Sequence, residues 1–332
     1  MNYDNFKELL ANEIKQQLLQ KDIKATVRYH MNHKVNTSYE GLVIHHENIP
    51  EGTPIPVIPV KELYENYLEY KASISDIAKE TIRNTEKHQQ SVDYNKDIKV
   101  SSYDEVKDRL YISLIAQKGN EELLKTIPHK EVADMAIIYR IDATGSFNQE
   151  NTQASIIVKN ELFSVWNVKE EALHQDALEN SPKIHPAKIT SMKEMMMNLM
   201  PVSLEKDILE ELQEEMITAA PVGAYILGND AGVNGAAVCF YPGFLDECVE
   251  KMNGDFYLLP SSVHEMILHP DKDVDDPMYF KDMVTEINAT QVAPEERLTD
   301  NAYHYDSKNK LFETIEEYLE RTERDMEQEE RD

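Results

Sequence analysis

The chain has 332 residues, 41% of them hydrophobic, with 62 acidic against 34 basic side chains and a formal net charge of −28. That length corresponds to roughly two domains of about 150 residues or one large one, and the apolar content excludes disorder through the whole length. Such a surface repels phosphates and anionic headgroups, so direct nucleic-acid binding and membrane association are not expected, whereas a basic protein partner suits it.

Phe6, Leu9, Leu10, Ile14, Leu18 and Leu19 recur at helical spacing and predict an amphipathic helix over 3–21. Ala25–His30 and Tyr39–Ile44 read as two strands around a polar turn at Asn32–Asn36. Four prolines between Pro50 and Pro59 require an extended connector. Helical periodicity returns over 60–85, and residues 86–98 read as a polar loop. A short helix near 102–107, a strand at Leu110–Ile115 and a helix at 120–126 lead through Pro128-His129 to a strand at Asp134–Tyr139. A strand at Ala154–Val158 precedes helices at 160–166, 169–180 and 191–199, and an acidic helical stretch follows at 203–216. Beyond it, strands at 223–228, 235–240, 255–259 and 263–269 surround a helix at 243–252. A helix at 277–289, a strand at Ala302–Tyr305 and a helix from about 311 complete the chain.

Strands do not alternate strictly with helices. The expected class is therefore α+β, with mixed, mainly antiparallel sheets, flanking helices and two subdomains. The division is 1–200 and 201–309, both α+β, followed by an acidic helical tail at 310–332 that carries ten acids and four bases. Cys239 and Cys248 are the only cysteines and form no C-x-x-C pair, which points to a reducing compartment, the cytoplasm. Met1–Phe6 lacks a basic and then apolar leader pattern, so no signal peptide is expected.

Each chemical motif meets a geometric objection. His264-Glu265-Met266-Ile267-Leu268-His269 invites a zinc-hydrolase reading, but its histidines stand five apart. On a helix that separation turns the rings about 140° from each other, and on a strand it sends them to opposite faces. Asp271-Lys272-Asp273-Val274-Asp275-Asp276 has acids where a calcium loop would, but Asp276 and Pro277 stand where the sharp turn needs glycine. Gly223, Gly228, Gly232 and Gly235 match no phosphate-cradling pattern and read as turns. Met192, Met196, Leu199 and Met200 share a helical face with Met195 beside them, which reads first as core packing and second as a partner groove. No cofactor and no metal is expected. The remaining candidate is Ser261-Ser262-Val263-His264-Glu265, where hydroxyls, an imidazole and a carboxylate gather at one turn. The turn serves either nucleophile-and-base chemistry or the satisfaction of its own backbone groups.

Tyr257–Glu265, preceded by Gly235-Ala236-Ala237 and a segment centred on Tyr241, resembles a family of uncharacterised proteins from intestinal anaerobic Gram-positive bacteria. Pro128-His129 with Asp134-Met135-Ala136-Ile137, and Asn160 through Trp166 to Asn180, carry the same resemblance, which runs from the first hairpin to about Tyr305. It implies a shared polar set of His129, Asp134, Ser261, Ser262, His264 and Glu265, but no activity. Two functions stay open: a non-enzymatic binding or regulatory protein that meets a basic partner, in its sharpest form as a phosphate mimic, and a hydrolase built on that polar set.

Overall fold

The computed structural model describes residues 1–47, 55–91, 100, 102–144, 154–198, 223–272 and 274–329. The chain is α+β, with three antiparallel sheets of three, four and six strands among the described residues. It groups into two compact units: Met1–Ser102 with Ala143–Ser155, and Tyr103–Asp142 with Ile156–Asp332. The first boundary suggested by the sequence, at 200, and the acidic stretch 203–216 lie outside the described residues.

In the first unit, the Asn2 side chain accepts a hydrogen bond from the Asn5 N–H and so starts helix α1, Tyr3–Gln20. Phe6, Leu10, Ile14 and Leu18 lie on its buried stripe, while Leu9 and Leu19 are exposed. That stripe packs with Val27 of strand β1 (Ala25–Lys34) and with Leu42 and Ile44 of β2 (Thr37–His46). The hairpin is tighter than expected. Lys34 pairs with Thr37, leaving a two-residue turn with Asn36 at φ 59°, so the Asn32–Asn36 stretch is mostly strand. β3, Ile58–Pro59, adds an edge beside β2. The apparent single helical run from 60 splits into α2 (Val60–Tyr70) and α3 (Ile74–Ser91) at Lys71, which adopts φ 49°. Ile77, Ala78 and Ile82 of α3 complete this core.

The second unit holds two sheets. Short helix α4 (Tyr103–Val106) leads into β4 (Leu110–Ala116), which is buried throughout. Helix α5 (Glu121–Leu124) is followed by β5 (His129–Val132), a strand that sequence periodicity does not reveal, and then by β6 (Met135–Asp142). Sheet order is β4-β6-β5, with β7 (Ser155–Ile157) also beside β6. Helices α6 (Asn160–Trp166) and α7 (Glu170–Ile184) follow, and the Ser181 hydroxyl of α7 accepts from the Ile112 N–H of β4 at 3.0 Å. Next come β8 (Ala187–Ser191), unexpected from the sequence, and α8 (Met192–Asn198). Met192, Met195 and Met196 of α8 are half-buried rather than core, Met197 is exposed, and Met200 lies outside the described residues.

The larger sheet runs β13-β12-β10-β11-β9-β8. It adds β9 (Tyr225–Asn229), β10 (Phe256–Ser262), β11 (Glu265–Pro270), β12 (Tyr303–Asp306) and β13 (Leu311–Thr314). Helices α9 (Phe244–Met252), α10 (Met278–Thr290) and α11 (Ile315–Glu329) accompany it. Two sequence assignments are corrected. Gly235–Phe240 is a 3₁₀ turn rather than a strand, and the final helix starts at Ile315 because Leu311–Thr314 pairs with β12. Leu259, Phe280, Val284 and Ile315 join α10 and α11 to the sheet in one apolar cluster.

Truncation of the α1 stripe tests the first core. Ile14→Ala is expected to cost about 3 kcal/mol in urea unfolding, and Leu19→Ala less than about 0.5 kcal/mol. Burial also holds the His174 and His185 imidazoles below their ordinary pKa. These groups bind fewer protons folded than unfolded. Their contribution is therefore complete above about pH 6.5 and is lost as pH falls through and below that value. Chemical denaturation at successive pH values should show that decline, and it should weaken in His174→Gln.

Candidate functional site

Ser261 and Ser262 end β10, and Glu265 begins β11 opposite Ser262 after a register shift. Two polar side chains of this hairpin, Ser262 and His264, are committed to backbone. The Ser262 hydroxyl accepts from the His264 N–H at 3.0 Å, and His264 Nδ1 accepts from the Asn234 N–H at 3.0 Å. His264 Nε2 lies 3.8 Å from a Glu296 carboxylate oxygen. The neighbouring Val263 N–H donates to the Glu296 carbonyl at 2.8 Å, and the Ala236 N–H to the Val263 carbonyl. Asn234 stands at φ 55°, and a Cβ on Gly235 would meet the His264 carbonyl oxygen at 2.4 Å. The 234–240 turn can therefore lie on the hairpin only with glycine at 235. His269, the other half of the zinc-like motif, sits on strand β11 and donates from Nδ1 to the Pro270 carbonyl at 2.8 Å.

His129 opens β5 and Asp134 lies in the β5–β6 turn, and both line a surface depression of about 610 Å³ with Lys118, Glu121, Lys125 and Glu131. None of the hairpin residues lines it. His129 Nδ1–H donates to the Ile127 carbonyl at 3.1 Å, which leaves Nε2 as the ring's basic nitrogen. Asp134 accepts a 2.5 Å hydrogen bond from the buried Tyr303 hydroxyl, whose oxygen is also 2.7 Å from the Thr299 hydroxyl. Burial first, and then the Asp134 charge, pushes the Tyr303 phenol well above its ordinary pKa, so it stays a donor. The polar set thus falls into two groups. One is a hairpin in which Ser262 and His264 hold backbone, and the other is His129 and Asp134, of which Asp134 is bonded to Tyr303 of β12.

A third constellation gathers residues that share no sequence motif. Asp255 precedes β10, Asp271 follows β11 and His304 lies on β12. One ligand-type atom from each falls within 4.8 Å of the other two. Tyr257 of β10 pairs across the sheet with His304 on one side and His269 on the other. The Asp271 N–H donates to the Asp255 carbonyl at 3.2 Å, closing the β10–β11 end. His304 is 1% exposed, its ring stacks on Tyr318 with centroids 3.8 Å apart, and neither ring nitrogen has a hydrogen-bond partner. Burial lowers the His304 pKa against the opposing pull of Asp271 and Asp255, which favours the neutral ring.

Both cysteines are buried and free, and burial pushes both thiols upward, Cys248 to about 12. Neither presents a thiolate at neutral pH. Among the described residues no helix is long and apolar enough to cross a membrane.

An α+β protein with these sheets and no familiar catalytic signature matches one family model, described as a family of unknown function (DUF5688), over residues 3–307. The chain belongs to that family. No curated protein and no solved structure matches it.

Two substitutions test the structural role of the hairpin. His264→Ala leaves the Asn234 N–H without its acceptor and is expected to cost about 2 kcal/mol in urea unfolding. Gly235→Ala forces a Cβ against backbone and should cost about 3 kcal/mol or prevent folding. An unchanged stability of His264→Ala would return that imidazole to the functional candidates.

Proposed function

We propose that this chain is a non-enzymatic binding protein that engages a basic partner, and that it acts there as a mimic of nucleic-acid phosphates. The observation that carries the reading is the charge: 62 acids against 34 bases, a net −28 on a 332-residue chain. Much of it is displayed on the surface. On α11, Glu317, Glu320, Glu323, Asp325 and Glu327 are exposed, while Arg321 is occupied by Asp306, Glu313 and Asp325. A surface of one sign accelerates encounter with an oppositely charged partner and suppresses like-charged ones.

The hydrolytic reading rests on less. His264 meets a backbone N–H rather than a serine, and no serine lines the depression that His129 and Asp134 share. Its remaining support is that shared lining, with a basic nitrogen available on His129. The binding reading belongs to a cytoplasmic setting in intestinal anaerobic Gram-positive bacteria. Two free, buried cysteines suit a reducing compartment.

Immobilised full-length protein should retain a basic, nucleic-acid-binding protein from bacterial lysate, and added duplex DNA should displace it. Raising salt from about 0.05 M to about 0.5 M should weaken the complex at least about tenfold, because exposed charges are screened within a few ångströms at high salt. Charge reversal at Glu320, Glu323 and Glu327 should weaken it similarly. If nothing basic is retained at low salt, or if DNA does not compete, the reading fails.

A further inference from the structure

We propose that Asp255, Asp271 and His304 form a binding site for a first-row transition dication of the Zn2+ or Mn2+ type. Four observations lead there, independently of the acidic-surface reading.

The first is uncompensated charge. Asp255 and Asp271 sit opposite each other where the β10–β11 register runs on past Phe256 and Pro270. Like charges facing each other across strands repel. Among the described residues neither carboxylate has a lysine or arginine partner. The neighbouring Arg321 is already bound by Asp306 at 3.1 Å and Glu313 at 2.7 Å.

The second is the orphaned ring. His304 is buried with both nitrogens unpartnered, a state that folded proteins largely avoid because water's hydrogen bonds are lost without replacement. Its Nε2 lies 4.0 Å from Asp271 Oδ1, too far for a hydrogen bond and about the separation of two ligands on either side of a shared cation.

The third is support for the candidate ligands. Asp255 Oδ1 accepts from both the N–H and the hydroxyl of Ser307, at 2.9 and 2.5 Å. Tyr318 and Tyr257 hold the imidazole ring, the latter at 5.2 Å between centroids. Outer partners of this kind orient metal-binding carboxylates and imidazoles.

The fourth is the donor set. One imidazole nitrogen and two carboxylates suit borderline first-row ions, whereas calcium takes six to eight oxygens. Ligands about 2.1 Å from a tetrahedral ion stand about 3.4 Å apart, and the three atoms here already lie within 4.8 Å. Asp271 keeps a third of its side chain exposed, which supplies an entry path. Three protein ligands leave a position for water or a partner's group.

The test is calorimetric titration of chelator-stripped, full-length protein with Zn2+, Mn2+ and Ca2+, with thermal unfolding alongside and Co2+ as an optical probe. One Zn2+ or Mn2+ per chain is expected at micromolar affinity or better, with a raised unfolding temperature. Asp271→Asn and Asp255→Asn should each weaken binding at least about tenfold, and Ser307→Ala about tenfold through the lost support of Asp255. Asp246→Asn, at an exposed ion pair with Lys310 that includes none of the three candidate ligands, should bind as the parent does. His304→Gln removes the nitrogen donor, and because this ring is buried the two exposed-side aspartate variants decide the outcome if it misfolds. Failure of any transition ion to bind below about 0.1 mM would overturn the proposal. So would equal affinity in Asp271→Asn and Asp255→Asn, which would move binding elsewhere, or calcium binding as tight as zinc.

Discussion

Strand β10 is hydrogen-bonded along both edges, to β11 and to β12, and its register on each side decides what meets at the end of the larger sheet. Because side chains alternate between faces, a slip of one residue on either edge would send Tyr257, His304 and their neighbours to opposite faces. The apolar cluster that joins α10 and α11 to this sheet, including Tyr257, Leu259 and Ile315, rules out such a slip by burying one face. Three residues separated by 16 and 33 positions in the chain are brought within 4.8 Å by that packing constraint.

The same sheet shows two ways of handling polar groups. At the β10–β11 hairpin the Ser262 hydroxyl and the His264 imidazole are turned toward backbone, and a glycine-only approach from the 234–240 turn locks the arrangement. At the opposite end of the same strands, two carboxylates and an imidazole meet with few partners of their own. The first arrangement closes its hydrogen-bond accounting internally, as native turns do. In the second, both ring nitrogens of the buried His304 are without a partner, the observation on which the proposed cation site turns.

Periodicity located most elements because amphipathic stripes and alternating strands are local signals. α1, the first hairpin, β4, α6, α9 and α10 lie close to where spacing predicts them. The misses share a cause. Gly235–Cys239 are all buried, and an unbroken apolar run has no period to separate strand from 3₁₀ turn. β5, β8 and β13 are short and partly exposed, and they exist only because a neighbour supplies their hydrogen bonds. Of the polar set, His129 and Asp134 do share a depression, but the hairpin residues form a separate, backbone-directed group. Asp271 was visible only as the start of an unconvincing calcium loop, and Asp255 and His304 carried no motif at all.

Composition and local pattern alone determine that this is an acidic α+β chain, that Cys239 and Cys248 form no framework, and that the Ser261–Glu265 turn is polar. These are properties of neighbours within a few residues of one another, and of sums over the chain. Only the tertiary structure decides that His264 spends its Nδ1 on the Asn234 N–H, and that His304 lies buried opposite Tyr257 beside Asp255 and Asp271. Both outcomes follow from strand register and burial, which depend on contacts between distant segments and leave no periodic trace in the sequence.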